Sequence, residues 1–413
     1  MSADRYLVPY PKRGSILGEA EAAAVSATLA SGRPLSAGTC REAFEERFRE
    51  LTGVRHAMSV TSGTVALQLA ISLLDLQPGD EVIATPQTYK ATVQPLLESP
   101  VRVRFCDVDP ATLNADPASV EALVTPRTRA ILLVHYGGLP ADMEAIMRIA
   151  RKHDVLVVED CAHALGSSYY GRSPGALADI GCFSFHSSKN ITTLGEGGMV
   201  TVQRDDWARR LDLIRSNESD SVYVRRMGAR EVPRPWMLHP GLAHSHDCAR
   251  IRHPGTNAVM SEPSAAVGIV QLDRLDQLVA RRRAIAARID EVLARYPFVR
   301  TVPEPDGVLN SYHLYTFFVD PAAGVTRDDL VDRLERQGVE MRLRYFPLHL
   351  LPEWRARGMR PGECPVAERV WAHEQVNLPC QPVLTDREVS DLVHALDAVL
   401  SGVDTQIRAL ARA

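Results

Sequence analysis

Lysine is scarce in this chain: 413 residues carry only Lys12, Lys90, Lys152 and Lys189, against 43 arginines. Any chemistry that needs a side-chain primary amine therefore has four candidates. Cysteine is sparse and scattered (Cys40, Cys106, Cys161, Cys182, Cys248, Cys364, Cys380), and no two stand as CxxC, which argues against a disulfide framework or a zinc site. His239, His244, His246 and His253 lack a carboxylate or cysteine at a ligand spacing, so no metal is expected. No apolar run reaches the ~18 residues of a membrane helix, and the opening residues are polar and proline-punctuated rather than charged-then-apolar. The phosphate loop GxxxxGK[ST] is missing. Neither sign of charge dominates: 47 basic residues face 51 acidic ones, which gives no electrostatic case for binding nucleic acid or an anionic membrane. These absences leave a cytoplasmic protein whose partners are small molecules or another subunit.

What is present is enough apolar content, 45% of the residues, for a sizeable core and ordinarily two domains. From about Arg55 to Val202, short β-branched runs alternate with stretches of helical periodicity. HAMSV, EVIAT, RVRFCDV, AILLVHY, VLVVED, CFSFH and MVTV predict strands; TVALQLAISLLDL and PADMEAIMRIARKH predict helices. The class is α/β with a mostly parallel, two-sided sheet. A His-, Pro- and Arg-rich excursion over 217–254 breaks the rhythm as a long surface or interface loop. Beyond it come one or two long helices over 261–296, a strand in YHLYTFFV, and helices in DDLVDRLERQ and TDREVSDLVHALDAVL. The expected division is a large domain over 1–255 and a smaller α+β domain over 256–413.

Three motifs carry chemistry. Thr61-Ser62-Gly63-Thr64 lies between a strand and a helix, where exposed amides and hydroxyls seat a phosphate; Ser and Thr are also ordinary helix caps. Asp160 ends the apolar strand of VLVVED, at the sheet edge where ligands collect, and could pair with a pyridinium N–H. Lys189 follows an aromatic strand and a hydroxyl-rich turn and precedes a glycine-rich return, a setting in which a desolvated amine forms an imine with an aldehyde. Each is weak alone; together they describe one cofactor.

TSGTVALQLA, HYGGLPADM, VVEDCAHALGS, SFHSSKNITTLGEGGMV and NAVMSEPSAAVGIVQL resemble, in order and approximate spacing, the motifs of the DegT/StrS family of sugar aminotransferases. The resemblance covers nearly the whole chain. It implies a fold-type-I transferase dependent on pyridoxal 5'-phosphate (PLP), with a large sheet domain flanked by helices and a smaller C-terminal α+β domain. Lys189 would be the Schiff-base lysine and proton shuttle, with Asp160 on the ring nitrogen. Ser62, Gly63, Thr64 and Ser184 would hold the phosphate, Tyr89 would stack on the ring, and His163 would lie near its hydroxyl. Asn257 would reach the other subunit's cofactor in a homodimer, although Ala258 and Val259 replace the aromatic and arginine usual after it. His186, Tyr345 and His349 are candidate substrate contacts. The implied reaction moves an amino group from L-glutamate or L-glutamine to a nucleotide-linked keto-sugar or a keto-cyclitol, in aminosugar or aminocyclitol antibiotic biosynthesis. The alternatives are a sugar dehydratase of the same family, whose members replace the lysine with histidine, and a non-catalytic PLP-binding regulator.

Overall fold

The structure, a computed structural model, describes residues 6–36, 38–216, 220–223, 249–253 and 255–410. Two helices, α1 (Glu19–Ala30) and α2 (Thr39–Thr52), precede the sheet. The apolar runs then form β1 (His56–Val60), β2 (Glu81–Ala84), β3 (Arg102–Phe105), β4 (Thr128–Val134) and β5 (Leu156–Asp160). After a two-residue strand β6 (Ser168–Tyr169), they continue as β7 (Ile180–Ser184) and β8 (Gly198–Val202). The seven long strands lie in the order β1-β8-β7-β5-β4-β2-β3. Every neighbouring pair is parallel except the two made by β8. Strands β2, β5, β7 and β8 are buried along nearly their whole length, as a sheet covered on both faces requires.

Between the strands run α3 (Gly63–Leu73), α4 (Pro117–Leu123), α5 (Met143–His153) and α6 (Asp205–Arg215). Helix α5 shows why such segments fold locally. Asp142 caps it by accepting from the Ala145 amide at 3.1 Å, and Arg151, Lys152 and His153 fill the last turn, where the helix dipole favours cations. Its apolar stripe, Met143, Ile146, Ile149 and Ala150, buries against the sheet with Ile131, Leu133 and Val157. The expected excursion over 217–254 lies outside the described residues save for the paired strands β9 (Asp220–Tyr223) and β10 (Ala249–His253).

The long helical stretch expected over 261–296 divides at Arg274 into α7 (Glu262–Asp273) and α8 (Leu275–Leu293). Helix α7 packs on α1 and α2, and buried Glu262 accepts from the Cys40 amide at 2.8 Å near the start of α2. A three-stranded antiparallel sheet follows, with β13 (Tyr315–Val319) between β11 (Val299–Thr301) and β14 (Gln375–Leu378); β12 (Val308–Leu309) pairs instead with β6. Helices α9 (Arg327–Arg336) and α12 (Asp386–Leu410) close a core around Phe317, Leu330, Leu334 and Leu396. Short α10 (Pro352–Arg355) and α11 (Pro365–His373) complete the chain. The strand expected in YHLYTFFV starts only at Tyr315, because Tyr312 turns the backbone at φ 49°. The N-terminal segment is stapled to this unit: Val8 bridges Val339, and its amide donates to Gly338 O at 3.0 Å.

Candidate active site

Six of the seven long strands run the same way, so the ends of β1, β2, β5 and β7 meet at one edge of the sheet. A cavity of about 520 Å³ opens there. Ser62, Gly63 and Thr64 line one wall. Ser62 caps α3, its hydroxyl accepting from the Val65 amide at 3.2 Å. The amides of Gly63 and Thr64, in the first helical turn, have no intrahelical acceptor and sit at the positive end of the dipole. Gly63 is held to glycine by space: a Cβ there would stand 2.6 Å from Ser184 Cβ. Ser184, at the end of β7, lies against the same seat.

Asp160 ends β5 and is 4% exposed. One carboxylate oxygen accepts from the Ala162 amide at 3.0 Å and the other from the Thr92 hydroxyl at 2.6 Å, which is itself bonded to the Thr88 hydroxyl at 2.7 Å. Behind it Glu159 accepts from the amides of Gly175, Leu177 and Ala178 and from His135 Nε2 at 2.9 Å. His135 Nδ1 takes the Ala141 amide, so both ring nitrogens are engaged. The buried His135, Glu159 and Cys161 group is thus a scaffold under the strand end, with its imidazole already spent.

Lys189 stands on the turn after β7, across from Asp160. Burial pushes its amine down to about 8, with the Arg344 cation adding to the drop and the Asp160 carboxylate opposing it. The turn is fixed from below: the Gly14 amide donates to Ser187 O at 2.8 Å, and a Cβ on Gly14 would run into the carbonyls of Ser188 and Lys189. His186 lies on the exposed rim, bonded to Ser188 Oγ at 2.9 Å and 3.8 Å from the Glu196 carboxylate.

Tyr345 and His163 line the remaining wall, and His313 packs against His163 outside it. Tyr345 stacks on His163 with centroids 5.8 Å apart, and His163 stacks on His313 at 4.3 Å. Burial holds both imidazoles far below their usual basicity, so both are neutral. His163 Nδ1 is a buried nitrogen with no partner among the described residues, at a cavity wall. Tyr89, 52% exposed, stands at the mouth, its ring 6.1 Å from Tyr345.

Most of the expected site residues therefore surround one cavity. Two do not. His349 is fully buried between Phe105 and Glu368, to which its Nε2 bonds at 2.9 Å, and takes no part in the cavity wall. Asn257 is exposed and lies outside its own chain's cavity. Sequence reasoning missed Arg344, Thr92, His313 and Glu196. Thr92 and His313 sit in unremarkable helical and strand-like text, and Arg344 is one arginine among 43; only tertiary contacts single them out.

The cavity fits a phosphorylated pyridine aldehyde on structural grounds: free helix-end amides beside a glycine that admits no Cβ, a buried carboxylate for a ring N–H, an amine of lowered basicity, and an orphaned imidazole nitrogen.

A model of the DegT/DnrJ/EryC1/StrS aminotransferase family matches residues 15–397. The GDP-perosamine synthase of Caulobacter vibrioides is 34% identical over 360 residues, 86% of this chain and 89% of that one. The crystal structure of the aminotransferase TlmJ from Streptoalloteichus hindustanus superposes with a TM-score of 0.82 at 32% identity, covering 98% of this chain and 100% of that one. The PLP form of the sugar aminotransferase Spr1654 from Streptococcus pneumoniae gives 0.81 at 26% identity, covering 95% and 99%.

Proposed function

We propose that this chain, which belongs to the DegT/DnrJ/EryC1/StrS aminotransferase family and is a PLP-dependent sugar aminotransferase of fold type I, takes its amino group from L-glutamate or L-glutamine. The proposed acceptor is a nucleotide-linked keto-sugar or a keto-cyclitol of an aminosugar or aminocyclitol antibiotic pathway. PLP, when bound, carries the amino group from donor to acceptor and withdraws electrons from the carbon that gains or loses a proton.

The residues divide that work. The α3 amides with Ser62, Thr64 and Ser184 would hold the phosphate and so set where the ring lies. Asp160, whose two oxygens accept from the Ala162 amide and the Thr92 hydroxyl, would pair with the ring nitrogen, and Thr92 fixes its orientation. Tyr89 would stack on the ring from the cavity mouth, and His163, whose Nδ1 has no partner among the described residues, would lie near its hydroxyl. Lys189 would hold the cofactor's aldehyde and, when free, take and return the proton at the substrate carbon; an amine poised near 8 can do both close to neutral pH. Asn257, on the surface, is proposed to complete the phosphate seat of a second copy in a homodimer.

One observation carries this reading: the only lysine of the cavity wall faces a buried, hydroxyl-fixed aspartate across a helix N-terminus. The test is the visible spectrum of the PLP-loaded protein before and after each donor, beside Lys189→Ala, followed by mass analysis of products from keto-sugar nucleotides and keto-cyclitols. A cofactor band that L-glutamate or L-glutamine bleaches in the wild type supports the donor assignment. A band that neither discharges overturns it, and the acceptor that gains an amino group decides between the two classes.

A further inference from the structure

Arg344 lines the same cavity, and its guanidinium pairs with no carboxylate among the described residues. The fully buried Arg282 is a useful contrast, since it uses its donors on the carbonyls of Gly14, Tyr312 and His313. Arg344 is instead held without being neutralised. Its amide donates to Asn377 Oδ1 at 2.8 Å, and its carbonyl accepts from the Tyr136 hydroxyl and from Gln375 Nε2. Asn377 is in turn fixed to the Thr316 hydroxyl at 2.8 Å, and Gln375 to Gln87. The guanidinium lies over the Tyr10 ring at 5.5 Å and 6.0 Å from the Tyr345 ring centre, with a side-chain hydrogen bond to Tyr345. Aromatic faces restrain an arginine while leaving its charge available. The result is a fixed, partly desolvated cation at a cavity wall, a receptor suited to a planar oxyanion.

We infer that Arg344 binds the carboxylate attached to the reacting carbon of the amino donor. This rests on the aminotransferase reading above. An oxyanion here has two conceivable sources, that carboxylate or a phosphate of a nucleotide-linked acceptor, and placement favours the first. Arg344, Lys189 and His163 line one cavity, so the cation opens onto the same space as the amine where bonds change. A donor carboxylate is one bond from that carbon, whereas a nucleotide phosphate lies beyond a sugar ring. The cofactor phosphate has its own seat at α3. The Tyr136, Gln375 and Asn377 cluster accordingly serves to position Arg344, joining the large sheet to β14 at the donor subsite.

The experiment uses PLP-loaded wild type, Arg344→Gln and Arg344→Lys, each checked for an unchanged cofactor band. Bleaching rates are followed against L-glutamate and against benzylamine, which carries no carboxylate; recovery of the band is followed against the keto-sugar nucleotide. Calorimetry with glutarate, a dicarboxylate with no amine, reports binding without reaction. Losing a charged partner of this kind is expected to raise half-saturation for glutamate and the glutarate dissociation constant by ~30-fold or more in the glutamine variant. The saturating rate should hold far better than half-saturation does, and lysine should restore part of the loss. Benzylamine should show no comparable shift. Unchanged glutamate and glutarate affinities overturn the proposal, as does an equal shift for benzylamine. A shift confined to the keto-sugar nucleotide overturns it in favour of a phosphate receptor. If no donor discharges even the wild type, the donor assignment fails on its own, and glutarate binding still decides the role of Arg344.

Discussion

Gly63→Ala isolates the phosphate seat. The added Cβ would lie 2.6 Å from Ser184 Cβ, 3.0 Å from its Oγ and 3.1 Å from its Cα. Carbon atoms rest at about 3.5–4.0 Å, so the overlap is about 1 Å and involves backbone that cannot rotate away. Overpacking of this size costs about 1–3 kcal/mol. Alanine's better helix propensity returns at most ~1 kcal/mol to the fold, but that gain does nothing for the geometry of the amides. If the strain falls on the seat, PLP binds ~5–150-fold more weakly. Titrating the apoprotein with PLP, followed by the cofactor band, measures the loss, and a thermal melt shows how much appears as stability instead. Ser184→Gly removes the atom in closest conflict, so a double-mutant cycle should show coupling of ~1 kcal/mol or more between the two positions. Unchanged PLP affinity and melting in Gly63→Ala, or strictly additive effects in the cycle, would refute the steric argument.

The depressed Lys189 has a kinetic signature: with its amine at about 8 rather than 10.5, PLP capture by the apoprotein should rise with pH and level off near 8. Arg344→Gln, by removing a cation, should move that plateau upward, and a wild-type rate still climbing beyond pH ~9.5 contradicts the assignment. His163 and His313 are held neutral by burial, whereas the unfolded chain protonates its imidazoles near the ordinary value of 6.5. Stability is therefore full above 6.5 and falls as pH drops below it, by up to about 1.4 kcal/mol per pH unit for each ring. Denaturant midpoints of wild type and His313→Gln over pH 5–8 should show a shallower acid slope in the variant. Thr92→Val removes a 2.6 Å hydrogen bond to Asp160 and should lower the donor half-reaction by up to roughly tenfold with folding intact, a hydrogen bond being worth about 0.5–1.5 kcal/mol; an unchanged rate would show that Thr92 does not orient the acid. Glu159→Gln places an amide group against backbone amides in a buried site and should cost about 2–4 kcal/mol in denaturant unfolding, and full stability would dismiss the scaffold role.

Local text was enough for elements whose burial is written into their own period. The continuous apolar runs ending in Val60, Val134, Asp160 and Val202 mark strands covered on both faces, and the 3.6-residue stripe of Met143–His153 marks a helix lying on a sheet. Helices α1 and α2 were less legible. Ala-rich α1 has apolar residues all round, so no stripe announces which face meets α7. The end of α12, at Leu410 rather than near residue 400, depends on a run with no breaker and on packing against α8 and α9.

By itself the sequence determined the class of chemistry, because scarcity and spacing did the selecting. With four lysines, one of them between an aromatic strand and a glycine-rich return, and with an acid at a strand end and a hydroxyl-glycine turn at a helix start, few other active sites could be composed. Tertiary structure alone decided which polar residues tune and border that site. Thr92 meets Asp160 across 68 positions, His163 stacks on His313, and Arg344 reaches the cavity from a loop held on β14 by Asn377. His349, beside a plausible motif, turns away into the core. Such pairings depend on how separate elements dock, and a side chain's burial and partners, which set its basicity and its freedom to bind a ligand, exist only after they have docked.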